Sequence, residues 1–396
     1  GNTDHSQTHE ESDRWNNFWF GEALPGLKGI GANGGRGQGK ITYHMTSGCR
    51  SVFALTKRNG DPKNYVFGKC IVQKTHSISS GQELYDNHGF WPKTKNIGND
   101  KQSLPETDKD FVRDFKTAFD LKRKGESGTS WVIPFVPPQI TKDEIVCCFL
   151  IDFFTTIMRN RLTLDICGEI INSKNVRQLV NKYGINSPSQ NFFTFMEKAT
   201  NTPKSSLIDI YADGLPKNNL LDEDDIGDSR IKDIRSKFHA GDMVSIKLPL
   251  ELKEYGGKIK NSFVEVHLQN PDSIKTTEEL YMRYDLQISD EKHIPKSQGV
   301  FGLMVADDIP IAEFLGTCEN ASHTQWNERE GQIKKIYNNV RDILQKVRGS
   351  LPELCRLAVG SDNNLDEDSL SDILSAPLAR PTIKPPPAPA PAPTPT

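Results

Sequence analysis

The stretch ANGGRGQGKITYHMTSGCRSVFALTKR, Ala32 to Arg58, packs Gly34, Gly35, Gly37 and Gly39 into six residues and closes them with Lys40. Glycine carries no Cβ, so the N–H groups of such a run can converge on an anion. The segment that follows, KITYHMTSGC, is compatible with a short helix, and a helix start adds unpaired N–H donors and a positive dipole end. Lys40 then stands where a point charge reaches a terminal phosphate, and Arg36 is placed either to pair with phosphate oxygens or to sit in water. A surface turn that holds nothing accounts for the glycines equally well when they are taken alone. A P-loop fits less well. Gly34 and Gly39-Lys40 satisfy GxxxxGK, but Ile41 occupies the place of the magnesium-binding hydroxyl, and Thr42 comes one residue late.

A chain of 396 residues is long enough for two or three domains. Net charge of −3 gives no general pull towards nucleic acid or an anionic membrane. Seven cysteines without a CxxC pair argue against a disulfide framework or zinc site and suit a reducing, cytoplasmic setting. The apolar run Ile145–Met158 is too short to cross a membrane and contains Asp152. The opening GNTDHSQTHEESDRWNNFWF has no initiating methionine and is expected to continue from an upstream portion of the protein.

Period-two apolar runs predict strands at RSVFALTKR and YVFGKCIVQKTHSI, joined by the turn NGDPKN. Residues 76–106 are rich in Gly, Asn, Lys and Ser and are expected to be irregular. Phe111, Phe115 and Phe119 recur at helical spacing and form one apolar stripe, expected in the core. A glycine turn leads into the strand GTSWVIPF. Thr141 with Glu144 then gives a capping box ahead of an apolar helix. LTLDICGEIIN follows as a strand or hairpin, which closes a first unit at residues 1–172, with a polar helical connection over 173–202.

A second unit, 203–358, shows five candidate strands and one amphipathic helix, EREGQIKKIYNNVRDILQKVRGSL, the pattern of an α+β domain. Residues 359–396 are acidic and then proline-rich. KPPPAPAPAPTPT reads as a disordered polyproline II tail suited to a protein partner with an aromatic groove.

The glycine run, the helix and strands after it, and the Gly128-Thr129 strand stand in the order found in the GHKL superfamily, which includes gyrase, the large heat-shock chaperone, histidine kinases and the mismatch-repair ATPase. GGRGQGK resembles the superfamily's ATP lid. GTSWVIPFVPPQIT and EFLGTCENASHTQWNEREG strengthen the likeness to bacterial proteins that join such an ATPase to a second α+β domain, some of them linked to DNA metabolism or phage defence. The resemblance implies the C-terminal part of a Bergerat-type ATP-binding α/β sandwich, followed by a transducer-like domain. It implies ATP and Mg2+ as ligands, with Gly34, Gly35, Arg36, Gly37, Gln38, Gly39 and Lys40 around the phosphates and Thr129 on the adenine side. A homodimer also fits. The superfamily's catalytic acid, its magnesium-holding Asn and its adenine-reading Asp lie before the lid. Asp13 and Asn17 in DRWNN leave no room for the adenine-reading strand, so ATP hydrolysis is expected of the intact protein and not of this stretch alone. The alternative is a non-enzymatic scaffold with the same two units.

Other residues read more plainly. Glu319, Asn320, His323, Thr324, Trp326 and Asn327 suit a capped loop with Trp326 buried and His323 hydrogen-bonded, or a contact with nucleotide or partner. His44 is expected on a helix surface. Lys253, Lys258, Lys292 and Lys296 are the second-unit cations that could reach back to a phosphate.

Overall fold

The computed structural model describes residues 18–20, 39–72, 74, 86–97, 100–186, 188–211, 221–271, 276–320, 322–328 and 333–360. These form a mixed α+β structure built on two main sheets.

The first sheet contains β1 (Ser51–Lys57), β2 (Asn64–Ile71), β3 (His88–Trp91) and β6 (Gly128–Val132), in the order β3-β2-β1-β6 and antiparallel throughout. Alternation divides its side chains between two faces. Val52, Ala54 and Phe67 pack with Trp19 on one face, together with α1 (Gly39–Thr46). Leu55, Val66 and Val132 pack on the other with Val112 and Phe115 of α2 (Lys109–Ala118). Asp108 caps α2 by accepting from the Phe111 amide at 2.9 Å.

The polar segment expected to be irregular instead supplies β3 and a hairpin of β4 (Lys93–Ile97) with β5 (Asp100–Leu104). It attaches to the sheet through the paired amides and carbonyls of Val66 and Glu106 at 2.9 and 2.8 Å. Glu106 also accepts from Lys93 at 2.7 Å. Its backbone partners satisfy this segment without an apolar pattern.

The second sheet is mixed and runs β13-β12-β14-β11-β10-β9, formed by Leu286–Gln287, Glu278–Arg283, Phe301–Ala306, Ile259–Gln269, Val244–Lys253 and Ile208–Asp209 respectively. β12 lies parallel to β14, and the hairpin of β10 with β11 is antiparallel over ten residue pairs. Ile246, Leu248, Val264 and Val266 face α8 (Asp228–His239), α9 (Ile309–Cys318) and α11 (Val340–Val359) in the largest core. α7 (Glu223–Ile226) precedes α8, and α10 (Ile333–Ile336) precedes α11. α11 begins after Asn339 because that side chain is committed to β10: it accepts from the Lys253 amide at 3.0 Å and donates to the Glu251 carbonyl at 2.8 Å.

Four helices cover the other face of β12 and β14: α3 (Lys142–Asp152), α4 (Phe154–Met158), α5 (Val176–Lys182) and α6 (Gln190–Thr200), with the hairpin of β7 (Leu164–Ile166) and β8 (Glu169–Ile171) between α4 and α5. The Thr141–Glu144 capping box opens α3. Val146, Leu150, Phe154 and Ile157 share a core with Met282, Phe301, Leu303 and Val305. The sequence reading closed the first unit at residue 172, whereas the chain from Lys142 onward buries its apolar side chains on the second sheet. The physical reason is that β14 is buried on both faces, and Leu280 and Met282 of β12 join Phe301, Leu303 and Val305 in an apolar surface that needs a second covering layer.

Candidate functional site on the α1 face of the first sheet

Of the residues assigned to phosphate, Gly34, Gly35, Arg36, Gly37 and Gln38 lie outside the described residues, as do Asp13, Asn17 and the proline-rich tail. Gly39 and Lys40 open α1. The Thr42 hydroxyl turns back on its own helix and donates to the Gly39 carbonyl at 2.6 Å.

Three contacts hold α1 and the turn after it against β6 and the residues that follow that strand. The Tyr43 ring stacks on Trp131 with centroids 4.7 Å apart and planes 13° from parallel. Ser47 Oγ donates to the Pro134 carbonyl at 2.9 Å, and the Gly48 amide to the Phe135 carbonyl at 2.9 Å. The fit is close: a Cβ on Gly48 would lie 2.7 Å from that carbonyl oxygen. His44, expected at the surface, is buried instead, with Nδ1 3.3 Å from the Arg50 carbonyl, because α1 turns this residue towards β1.

Thr129 lies on the same face as Trp131, two residues earlier along β6. It pairs with Thr56 across the strands, and the two hydroxyls are 3.2 Å apart. Gly128 before it has φ +139°, a conformation that strains any residue with a Cβ. Arg123 Nη2 fastens the turn by donating to the Thr129 carbonyl at 3.3 Å, while its Nε donates to Ser130 Oγ at 3.1 Å. The Gly-Thr pair is thus held by its backbone, leaving Thr129 Oγ1 on the α1 side.

Sequence reasoning missed Lys69. It lies in β2, and its side chain falls on the α1 side because Tyr65, Phe67 and Lys69 alternate with Val66 and Gly68. Only 5% of it is exposed. Its ammonium donates to the Trp19 carbonyl at 3.0 Å and lies 5.4 Å from the Phe90 ring centroid. Lys40 and Lys69 border the same small cavity, walled by Trp19, Tyr43, His44 and Val52. That cavity is only about 10 Å³ and largely apolar, so what the two lysines bring to this face is positive charge beside the helix start. The missed signal was a lysine at an inward position of an alternating strand.

None of Lys253, Lys258, Lys292 and Lys296 borders this cavity among the described residues. In the second sheet's loop, Glu319 is buried and bound by Arg283 and by His323 Nδ1, the latter at 2.6 Å. Asn320 Oδ1 accepts from the Thr324 amide at 2.9 Å, and Trp326 is buried with its amide donating to Glu291 at 2.8 Å. Burial opposes ionisation of Glu291, but bonds from His293, Arg348 and that amide outweigh it and hold the carboxyl at about 2. These contacts anchor the loop to β12 and α11.

Among the described residues no helix is long and apolar enough to cross a membrane, and no three His, Cys, Asp or Glu side chains gather as metal ligands. Compared with known proteins, the chain matches no protein-family model and no curated protein.

Proposed function

We propose that the chain binds ATP on the α1 face of the first sheet as a member of the GHKL class. In this reading the first sheet and its helices form the C-terminal part of a Bergerat-type sandwich, and the second sheet is its transducer-like partner. The observation that carries the proposal is the shared face: the helix opened by Gly39-Lys40 is stacked through Tyr43 on the strand that presents Thr129.

The roles follow from the chemistry. Amides of Gly34–Gly39 and the start of α1 donate to phosphate oxygens. Lys40 supplies positive charge, and Lys69 adds a second cation on the same face of the sheet. The Thr129 hydroxyl supports the adenine side, with Thr56 orienting it. Bound Mg2+ would neutralise triphosphate charge; the residues assigned in this chain include no ligand for it. The superfamily's water-activating acid is likewise not assigned, so the proposal concerns binding and the domain movement it drives.

Thermal unfolding with ATP and magnesium tests the proposal. For a site of about 1 mM affinity, ligand at about 10 mM stabilises the folded chain by roughly 1.4 kcal/mol. Lys40→Ala and Thr129→Val should each reduce the rise in melting temperature, and Lys69→Met should reduce it further in the Lys40→Ala background. A chain whose melting temperature ignores ATP, or shifts equally in all variants, behaves as the scaffold alternative requires.

A further inference from the structure

The opposite face of the first sheet carries an aromatic groove of about 620 Å³, which the nucleotide proposal does not use. Phe111 and Phe115 of α2 and Phe119 at its C-terminal end form one wall, and Phe53 and Trp91 the other. The rings make a ladder: centroids are 5.3 Å apart for Trp91 and Phe111, 6.4 Å for Phe111 and Phe115, and 4.9 Å for Phe115 and Phe119. Gly68 and Gly89 keep the floor open, and the Phe53 ring lies where a Cβ on Gly68 would sit, 2.4 Å from its Cδ1. The phenylalanine stripe read from sequence as core is therefore core only in part. Phe115 is buried, whereas Phe119 is 41% exposed. A half-exposed ladder of rings is unusual on a surface that binds nothing.

We propose that this groove takes the chain's own proline-rich tail. Seven of the eleven residues from Pro385 to Pro395 are proline, a composition that favours the extended polyproline II helix. Such helices dock in aromatic-lined grooves with little entropy to lose. Dimensions agree. Phe111 to Phe119 spans about 12 Å along α2, which matches about four polyproline II residues at roughly 3.1 Å each. Asp114 borders the groove, where it pairs with Arg113 at 3.0 Å, and Arg380 and Lys384 precede the prolines. α11 ends at Val359, leaving residues 361–396 outside the described structure. The stretch from Gly360 to Pro385 reaches at most roughly 85 Å, against a radius of gyration of about 21 Å for a compact chain of this length.

A synthetic peptide of residues 379–396, titrated by calorimetry into the full chain, tests the proposal. The second sample is the full chain carrying Pro385→Gly, Pro386→Gly, Pro387→Gly and Pro389→Gly. A tethered tail competes at an effective concentration on the order of 1 mM, so a peptide that binds the altered chain at about 100 μM should bind the unaltered chain about tenfold more weakly. In the altered chain, Phe119→Ala and Asp114→Lys should each weaken the peptide at least about fivefold with the melting temperature unchanged. Three results overturn the proposal: no peptide binding to the altered chain, equal binding to altered and unaltered chains, or binding that neither groove variant changes. Competition that grows with protein concentration would place the tail on a second copy and overturn the intramolecular assignment.

Discussion

Glu279→Gln should remove a pH dependence that the wild-type chain carries between about pH 4.5 and 7. Glu279 lies in β12, is 6% exposed, and accepts the Ile294 amide at 3.1 and 3.2 Å through its two oxygens. Burial pushes its carboxyl up to about 7, against the opposing pull of that amide and of the His293 and Lys292 charges. The folded value thus stands above the ordinary 4.5. Between the two values the native state holds a proton that the unfolded chain has released. Stability from this group is therefore complete below about pH 4.5, falls as pH rises, and levels off above about 7. A separation of about 2.5 corresponds to about 3 kcal/mol. Glutamine keeps the shape and one acceptor for the Ile294 amide but cannot ionise. Urea unfolding of both chains at about pH 5 and about pH 8 provides the assay, with the slope against urea compared to confirm that the same surface unfolds. Relative to wild type, the variant should gain about 2.5 kcal/mol on going from the lower to the higher pH, because part of the loss is already complete at about pH 5. A difference between the two chains that is the same at both values refutes the reasoning.

Three other outcomes follow from the described contacts. Arg283→Met leaves Glu319 buried without its guanidinium and should cost about 3–5 kcal/mol in denaturant unfolding, while the double variant Arg283→Met with Glu319→Leu should recover most of the loss. Glu291, held at about 2 by His293, Arg348 and the Trp326 amide, contributes stability that is present above about pH 4.5 and lost as pH falls towards 2; Glu291→Gln should flatten that acid limb of the unfolding profile. Tyr43→Ala removes the stack on Trp131, worth about 0.5–1.5 kcal/mol beyond the area it buries, and should speed proteolytic cleavage between Gly39 and Gly48 while leaving cleavage in α11 unchanged.

Much of the local structure was legible in the sequence because short-range rules fix it. The alternation in RSVFALTKR and YVFGKCI gave β1 and β2, and Thr141 with Glu144 gave the start of α3. What escaped depends on partners distant in the chain. IPIAEFLGTC is too uniformly apolar to show a helical stripe, and α9 forms because it is sandwiched between β11 and the elements around α11. The parallel pairing of β12 with β14 needs a crossover that no local pattern announces. The sequence places the helices from Lys142 to Met158 in the first unit and those over 173–202 in a connection; their shared covering role appears only when Phe301, Leu303 and Val305 are seen to face them. Within the candidate site, Gly39, Lys40 and Thr129 were legible from motif order. Lys69 was not, because a lysine between Gly68 and Cys70 reads as a solvent position until strand pairing turns it inward.

The nucleotide reading is tested most directly by locating bound ATP on the chain. A photoreactive ATP analogue, cross-linked and mapped by mass spectrometry, should label peptides containing Lys40 to Ser47 or Lys69, and unmodified ATP should compete the label away. Label confined to α2 or to the second sheet, or label that excess ATP does not displace, contradicts the assignment of the α1 face.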